Sequence, residues 1–489
     1  MPSRIVAFFR RCLKISFRHH LRHRPEVGPP DEMHQPELVI RGRRVVTANS
    51  VGPASVHITR GYISSISIFE DIPAGCELIE ADGSSVVMPG LVDTHVHVNE
   101  PGRADWEGFE TATRAAAAGG DTTIVDMPLN SLPATTTLEA FNTKLAAAHG
   151  KLHVDVGFWG GVVPGNTSEL SRLWNAGVMG FKCFLIHSGV DEFPNVNERD
   201  LRDAMPELAR LGALLIVHAE VPGPVEIACS QASGVEPVTS YATFLSSRPR
   251  EAEDQAIELM VKLCGETGCR LHIVHHSSAD ALPILRAAKS SGLPITVETC
   301  PHYLHFAAED IASGATEFKC CPPIRERENC ARLWDALRDG TIDMVVSDHS
   351  PCPAEMKLRH QGDFMKAWGG ISSLQFRLPV MWTEASARGF SVNDLTEWLC
   401  RTPARQVGLQ HLKGSIAVGH DADIVIWNPD TEFRVIPEMI QHRHKLTPYA
   451  GEVLRGLVEK TFVRGQMIYD GREFSSPKGS LLLRTARDS

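Results

Sequence analysis

Ser85-Val86-Val87-Met88-Pro89-Gly90-Leu91-Val92-Asp93-Thr94-His95-Val96-His97 is an apolar run that ends in two histidines one residue apart. The run reads as a strand. Side chains alternate faces along a strand, so His95 and His97 point the same way. Two imidazoles on one face at a strand end can grip a divalent metal ion. The pattern alone is weak, because a chain with 22 His contains about one His-x-His by chance. A second pair, His442-Arg443-His444, reads as a surface loop. The first pair gains weight from the residues farther along the chain.

Eight candidate strands start at that point: 91–98, 122–127, 154–162, 180–186, 214–219, 271–276, 295–300 and 344–348. Helix-like stretches lie between them. One spans 106–118, with Asp105 as its N-cap and Gly119-Gly120 as its stop. Others cover 251–266 and 280–290. Strands alternating with helices predict an α/β fold, a (β/α)8 TIM barrel. A doubly wound open sheet is the alternative, but no G-x-G-x-x-G follows the first strand. Short β-like runs lie on both sides, in 37–79 and again in 422–427 and 458–463. They predict a small β-sandwich domain built from both chain ends. The expected division is 1–36 extension, 37–88 first part of the β domain, 89–405 barrel, 406–474 second part, and 475–489 tail.

The chemistry gathers at the strand ends. In a barrel of this kind the C-terminal ends of the strands form the active site. There the sequence places His95, His97, Lys182, His218, His275 and Asp348. A lone histidine at a strand end is more often a hydrogen-bonded core residue than a ligand. Lys182 is unusual, because its neighbours Phe181, Cys183 and Phe184 are apolar and lysine is rarely buried unpaired. Desolvation would lower its pKa. A neutral amine can add carbon dioxide and become an anionic carbamate able to bridge two metals. An acid such as Asp348 at the end of a buried strand needs a partner. All six fall on the same mouth, which weakens the separate structural readings.

These residues resemble the cyclic amidohydrolases of the metal-dependent amidohydrolase superfamily, and among them the allantoinase family. The resemblance rests on Pro89 to Arg103, Asp126-Met127-Pro128-Leu129-Asn130-Ser131, Gly180 to Phe184, Cys320 to Arg325 and Ser347 to Cys352. Ala367 to Ile371 and Lys445 to Tyr449 add to it. It covers about residues 37–470. It implies that His95, His97, carboxylated Lys182 (N6-carboxylysine) and Asp348 bind one metal. Lys182, His218 and His275 then bind the other. The family pattern, His-x-Ser, and strand alternation both select His275 over His276. The implied cofactors are two divalent ions, zinc ahead of cobalt, iron(II) or manganese, with carbon dioxide for the lysine. The implied reaction is hydrolysis of a hydantoin ring by a metal-bridging hydroxide, with Asp348 as general base and acid. Asn99 and Asn130 are the expected substrate contacts. Asn99 stands where dihydroorotases, whose substrate carries a carboxylate, usually have Arg. Dihydroorotase, hydantoinase and a non-catalytic scaffold are the alternatives. His187, His302 and His349 are expected as supporting residues near the rim.

Composition fits this reading. The chain has 489 residues, 43% of them hydrophobic, and a net charge of −10. That charge argues against nucleic acid as a partner. No apolar run approaches the roughly 20 residues of a membrane helix. The partner expected is a small-molecule substrate, and the resemblance implies a homotetramer. The 12 Cys show no CxxC pair, which fits a reducing, cytoplasmic setting. The leader carries Arg4, Arg10, Arg11, Lys14, Arg18, Arg22 and Arg24, and no acid before Glu26. It reads as a disordered extension dispensable for catalysis, with Met33 as an alternative start. An organelle-targeting leader is the other reading.

Overall fold

A computed structural model describes residues 35–48, 50–232 and 237–484. The expectations for the basic leader and for an alternative start at Met33 lie outside the described residues.

The barrel strands are β1 (Leu91–Val96), β2 (Asp121–Asp126), β3 (Asp155–Phe158, continued at Gly160–Gly161), β4 (Phe181–Phe184), β5 (Leu214–His218), β6 (Arg270–Ile273), β7 (Ile295–Thr299) and β8 (Met344–Val345). Each pairs in parallel with its neighbour, β1-β2-β3 in one run and β3 to β8 in the next. A parallel bridge between Val96 and His349 closes the ring. There the His97 N–H donates to the His349 carbonyl at 2.8 Å. Strands buried on both faces favour apolar residues, and β4 and β5 read as short, largely apolar runs, whereas β1, β2 and β7 also bury Asp, Thr and Glu. Phe181, Cys183, Leu215, Val217, Leu271 and Ile273 pack outward with helix residues such as Leu201, Met205, Ile257 and Met260. Val125, Trp159, Phe184, Leu214 and Ile216 form a separate cluster. The Trp159 indole N–H reaches the Thr94 carbonyl at 2.8 Å, tying β3 to β1.

The predicted sandwich is one sheet of eight strands folded on itself. Its path runs 466–469, 453–463, 424–434, 86–89, 38–46, 51–59 and 62–67, with 77–80 beside 38–46. Strand Leu38–Val46 pairs with Glu77–Glu80 along its first half and with Val87 at Val45. The sheet therefore turns at that strand. Leu38, Ile40, Val56 and Ile63 from one half meet Val87, Ile424, Ile426 and Phe462 from the other. Pro89 ends this sheet and Gly90 opens the barrel. Gly90 is required there, because a Cβ would lie 2.3 Å from the Thr122 side chain. No helix among the described residues is long and apolar enough to cross a membrane.

Two local expectations are corrected. The first helix of the barrel begins at Phe109, not Trp106, and Asp105 is not its cap. The Glu100 carboxylate accepts the Phe109 N–H at 3.0 Å instead. Trp106 is thereby free to stack edge-on against Trp368, with ring centroids 4.8 Å apart. Gly120 does stop the helix in a left-handed conformation. The second His-x-His lies in a loop, but His442 is fully buried, not on the surface. Its ring sits 5.5 Å from that of His349, and the neighbouring Arg443 N–H bonds the buried Glu107 carboxylate at 3.1 Å. A buried carboxylate needs such donors, and this one draws the loop inward.

Candidate metal centre

The barrel mouth brings together all six residues singled out as ligands, through adjoining pairs. His95 Nε2 lies 3.1 Å from Asp348 Oδ1, and His97 Nε2 lies 3.8 Å from the same oxygen. His218 Nδ1 faces His275 Nε2 at 3.0 Å. The His95 and His275 rings, 5.3 Å apart, join these two halves. Lys182 is fully buried, and its Nζ has no hydrogen-bond partner among the described residues. It sits 4.9 Å from the Phe184 ring centroid. Burial drives the Lys182 amine down to about 8, although Glu298 and Asp348 oppose this. Burial works against the charged form of His95, but Asp348 and Glu298 push it up to about 8. Burial likewise opposes the Asp348 carboxylate, yet His95 and His97 hold it down to about 2. His97 and His275 are driven well below the usual imidazole range by burial. The neutral His97 and His275 imidazoles, an ionised carboxylate and a buried unpaired amine form a donor set that fits divalent metal ions.

Two acids missed in the sequence aim the imidazoles. Glu298 on β7 lies 2.5 Å from His95 Nδ1 and 2.9 Å from His272 Nε2. A proton held on His95 Nδ1 by Glu298 fixes the ring with Nε2 turned toward Asp348. Glu220 lies 2.8 Å from His218 Nε2, which leaves His218 Nδ1 toward His275. Arg248 donates to both Glu220 oxygens, at 3.2 and 3.3 Å. The available signal was Glu220 two residues beyond His218 and Glu298 as the charged residue of a β-branched run, Ile295 to Thr299. Replacing Glu298 by Gln removes the charged acceptor at constant shape. The expected result is a folded protein whose metal affinity falls roughly 10- to 100-fold, measured by competition with a chelator. Unchanged affinity in Glu298→Gln would deny it this part.

Strand alternation does not deliver every candidate ligand. β6 ends at Ile273 and β8 at Val345, so His275 and Asp348 lie beyond the pleat. Both take left-handed backbone, φ 37 and φ 46, which turns their side chains toward the others. Such strain in non-glycine residues gathers at functional sites. Asn99 and Asn130 share it, with φ 66 and φ 64. Asn99 is not on a continuing strand. It is fully buried, and its amide nitrogen lies 3.3 Å from the Pro351 carbonyl, while Oδ1 has no partner among the described residues. The Asn130 amide lies 3.4 Å from His97 Nδ1, and its Oδ1 is likewise unpartnered. Of the supporting histidines, His187 is exposed beside Asp191. His349 is buried, with its Nδ1 accepting the Ser373 N–H at 3.1 Å. His302 is buried and neither ring nitrogen has a partner among the described residues.

Comparison with known proteins agrees with this architecture. The allantoinase of Streptomyces avermitilis is 52% identical over 92% of this chain and 100% of its own length. The mitochondrial allantoinase of Aquarana catesbeiana is 53% identical over 77% of this chain and 76% of its own. That of Saccharomyces cerevisiae is 48% identical over 82% and 87%. Among solved structures, the L-hydantoinase (dihydropyrimidinase) of Arthrobacter aurescens superposes with a TM-score of 0.87 at 32% identity, covering 92% of this chain and all of that one. Residues 86–468 match the model of the amidohydrolase family, and on that span, together with these relatives, the chain belongs to the amidohydrolase family.

Proposed function

We propose that this chain is an allantoinase, a cyclic amide hydrolase that opens the hydantoin ring of allantoin to give allantoate. The observation that carries this reading is the buried, unpartnered Lys182 amine in the barrel mouth it shares with His95, His97, His218, His275 and Asp348. Several relatives named allantoinase, 41–53% identical over most of the chain, support the substrate. His95, His97, Lys182 and Asp348 would hold one divalent ion, and Lys182, His218 and His275 a second. Zinc is the metal proposed, with Lys182 carboxylated by carbon dioxide. When bound, the ions supply Lewis acidity and lower the pKa of the attacking water to roughly 7.

The chain's own groups do the rest. Asp348 is ionised and accepts the proton of the attacking water at a carboxylate oxygen. As the carbonyl carbon gains oxygen, the ring C–N bond breaks and Asp348 returns the proton to the departing nitrogen. Glu298 and Glu220 fix the His95 and His218 tautomers throughout. A homotetramer is the proposed assembly. The cytoplasm is the proposed compartment, and the mitochondrial relative supports an organelle as the alternative.

Asn99 supports this reading over a dihydroorotase. An uncharged amide offers donor and acceptor to the ureido and ring amides of allantoin, but nothing strong to a carboxylate. Lacking a bidentate Arg–carboxylate pair should cost dihydroorotate about 2–4 kcal/mol, roughly 30- to 1000-fold in rate. The expected outcome is efficient turnover of allantoin and little of dihydroorotate, assayed side by side with hydantoin on metal-loaded protein. Asn99→Arg should lower allantoin turnover, because the buried guanidinium lacks a partner. Comparable rates on allantoin and dihydroorotate would overturn the substrate assignment. Purified protein that holds no metal would favour a scaffold.

A further inference from the structure

A second set of potential ligands adjoins the first and shares one member with it. Cys300 follows β7 directly, and His302 lies two residues on, in the short helix Pro301–His305. Together with Asp348 they place one sulfur, one ring nitrogen and one carboxylate oxygen within 4.8 Å of one another. Cys300 and His302 are fully buried, and Asp348 nearly so. His302 is the independent sign of a missing partner. Both of its ring nitrogens are buried without a hydrogen bond among the described residues, and leaving buried polar atoms so is costly. Nothing in the proposed hydrolysis uses Cys300 or His302.

We propose that Cys300, His302 and Asp348 form a third metal site, specific for borderline-soft ions such as zinc, cobalt(II) or cadmium, which restrains the enzyme when metal is in excess. Thiolate, imidazole and carboxylate suit these ions and not magnesium or calcium. On binding, the Cys300 thiol becomes a thiolate and its proton leaves to solvent. Three protein ligands leave a fourth position open. Asp348 has two carboxylate oxygens, so it can serve both sites at once. A carboxylate held by a third ion is a poor proton acceptor, so occupancy removes the base from the reaction. The restraining effect rests on the reading of Asp348 as that base; the site itself does not.

Cobalt(II) titration of the full chain, past two equivalents, tests this. The ligands of the first two ions include no sulfur, so a near-ultraviolet thiolate–cobalt absorption band reports the third site alone. It should rise only beyond two equivalents, while turnover falls roughly 100-fold or more at full occupancy. Cys300→Ser should abolish the band, keep turnover at two equivalents, and keep it in excess cobalt. His302→Gln retains the thiol and should weaken the third equivalent roughly tenfold or more, which keeps the test open if the cysteine variant does not fold. Absence of the band at excess cobalt, or an identical band in Cys300→Ser, overturns the site. A band without loss of turnover overturns the restraint. Failure of the two-metal reading shows instead in the first two equivalents, which carry no sulfur signal.

Discussion

Lys182→Ala should lose both metal ions and nearly all activity. The amine is fully buried, has no hydrogen-bond partner among the described residues, and is held at about 8 by desolvation. An ordinary lysine, near 10.4, would be almost wholly charged at neutral pH. At about 8 a useful fraction is neutral and can add carbon dioxide. The resulting carbamate is an anion amid imidazoles, and without it His218 and His275 cannot neutralise a divalent ion. We expect metal content to fall toward zero and turnover to drop by roughly 1000-fold or more, the scale of losing an essential group of a catalytic unit. Short carboxylic acids should restore part of both, because they fit the space of the lost side chain. Elemental analysis and turnover, measured together, decide the matter. Full metal content and wild-type turnover in Lys182→Ala would refute the bridge.

Lys413→Met should lower the unfolding free energy by about 3–5 kcal/mol, the usual cost of breaking a buried ion pair from one side. Lys413 Nζ lies 2.7 Å from Asp155, 2.8 Å from Asp421 and 2.6 Å from Asp423. The three carboxylates alone would read as a cation site, but this ammonium fills it. Arg464 also donates to Asp155, and the Ser480 N–H reaches Asp155 at 2.8 Å. The cluster thus joins β3, the folded-over sheet and the C-terminal segment. With Met in place, the three carboxylates keep only Arg464 as a cation among the described residues. Urea unfolding measures the loss. Hydrogen exchange should quicken at Val156 and Leu482, whose amides bond Ser480 and Val156 across this junction. Adding Asp423→Asn should recover part of the stability by removing one uncompensated charge. A midpoint equal to wild type would show that the cluster contributes nothing net.

The barrel was legible in the sequence because its strands are buried on both faces. That burial favours short, largely apolar runs, against which a titratable residue stands out. His95, Lys182 and His218 were readable in this way, since two-residue alternation is local and survives in each strand. The helix start at Phe109 was not readable, because its cap is the Glu100 carboxylate, which reaches it through a loop. Nor was the burial of His442, which depends on Glu107 and Arg443, 336 residues apart.

By itself the sequence determined the kinds of donor atom, their order along the chain and the parallel barrel that gathers them, because each arises from local periodicity and burial. Only the tertiary structure decided how they are aimed. Glu298 meets His95 across 203 residues, and no local pattern encodes that pairing. His275 and Asp348 reach the mouth through left-handed backbone, φ 37 and φ 46, after their strands have ended. Strand periodicity has no term for such a turn; the packing of the closed barrel around it holds the strain in place.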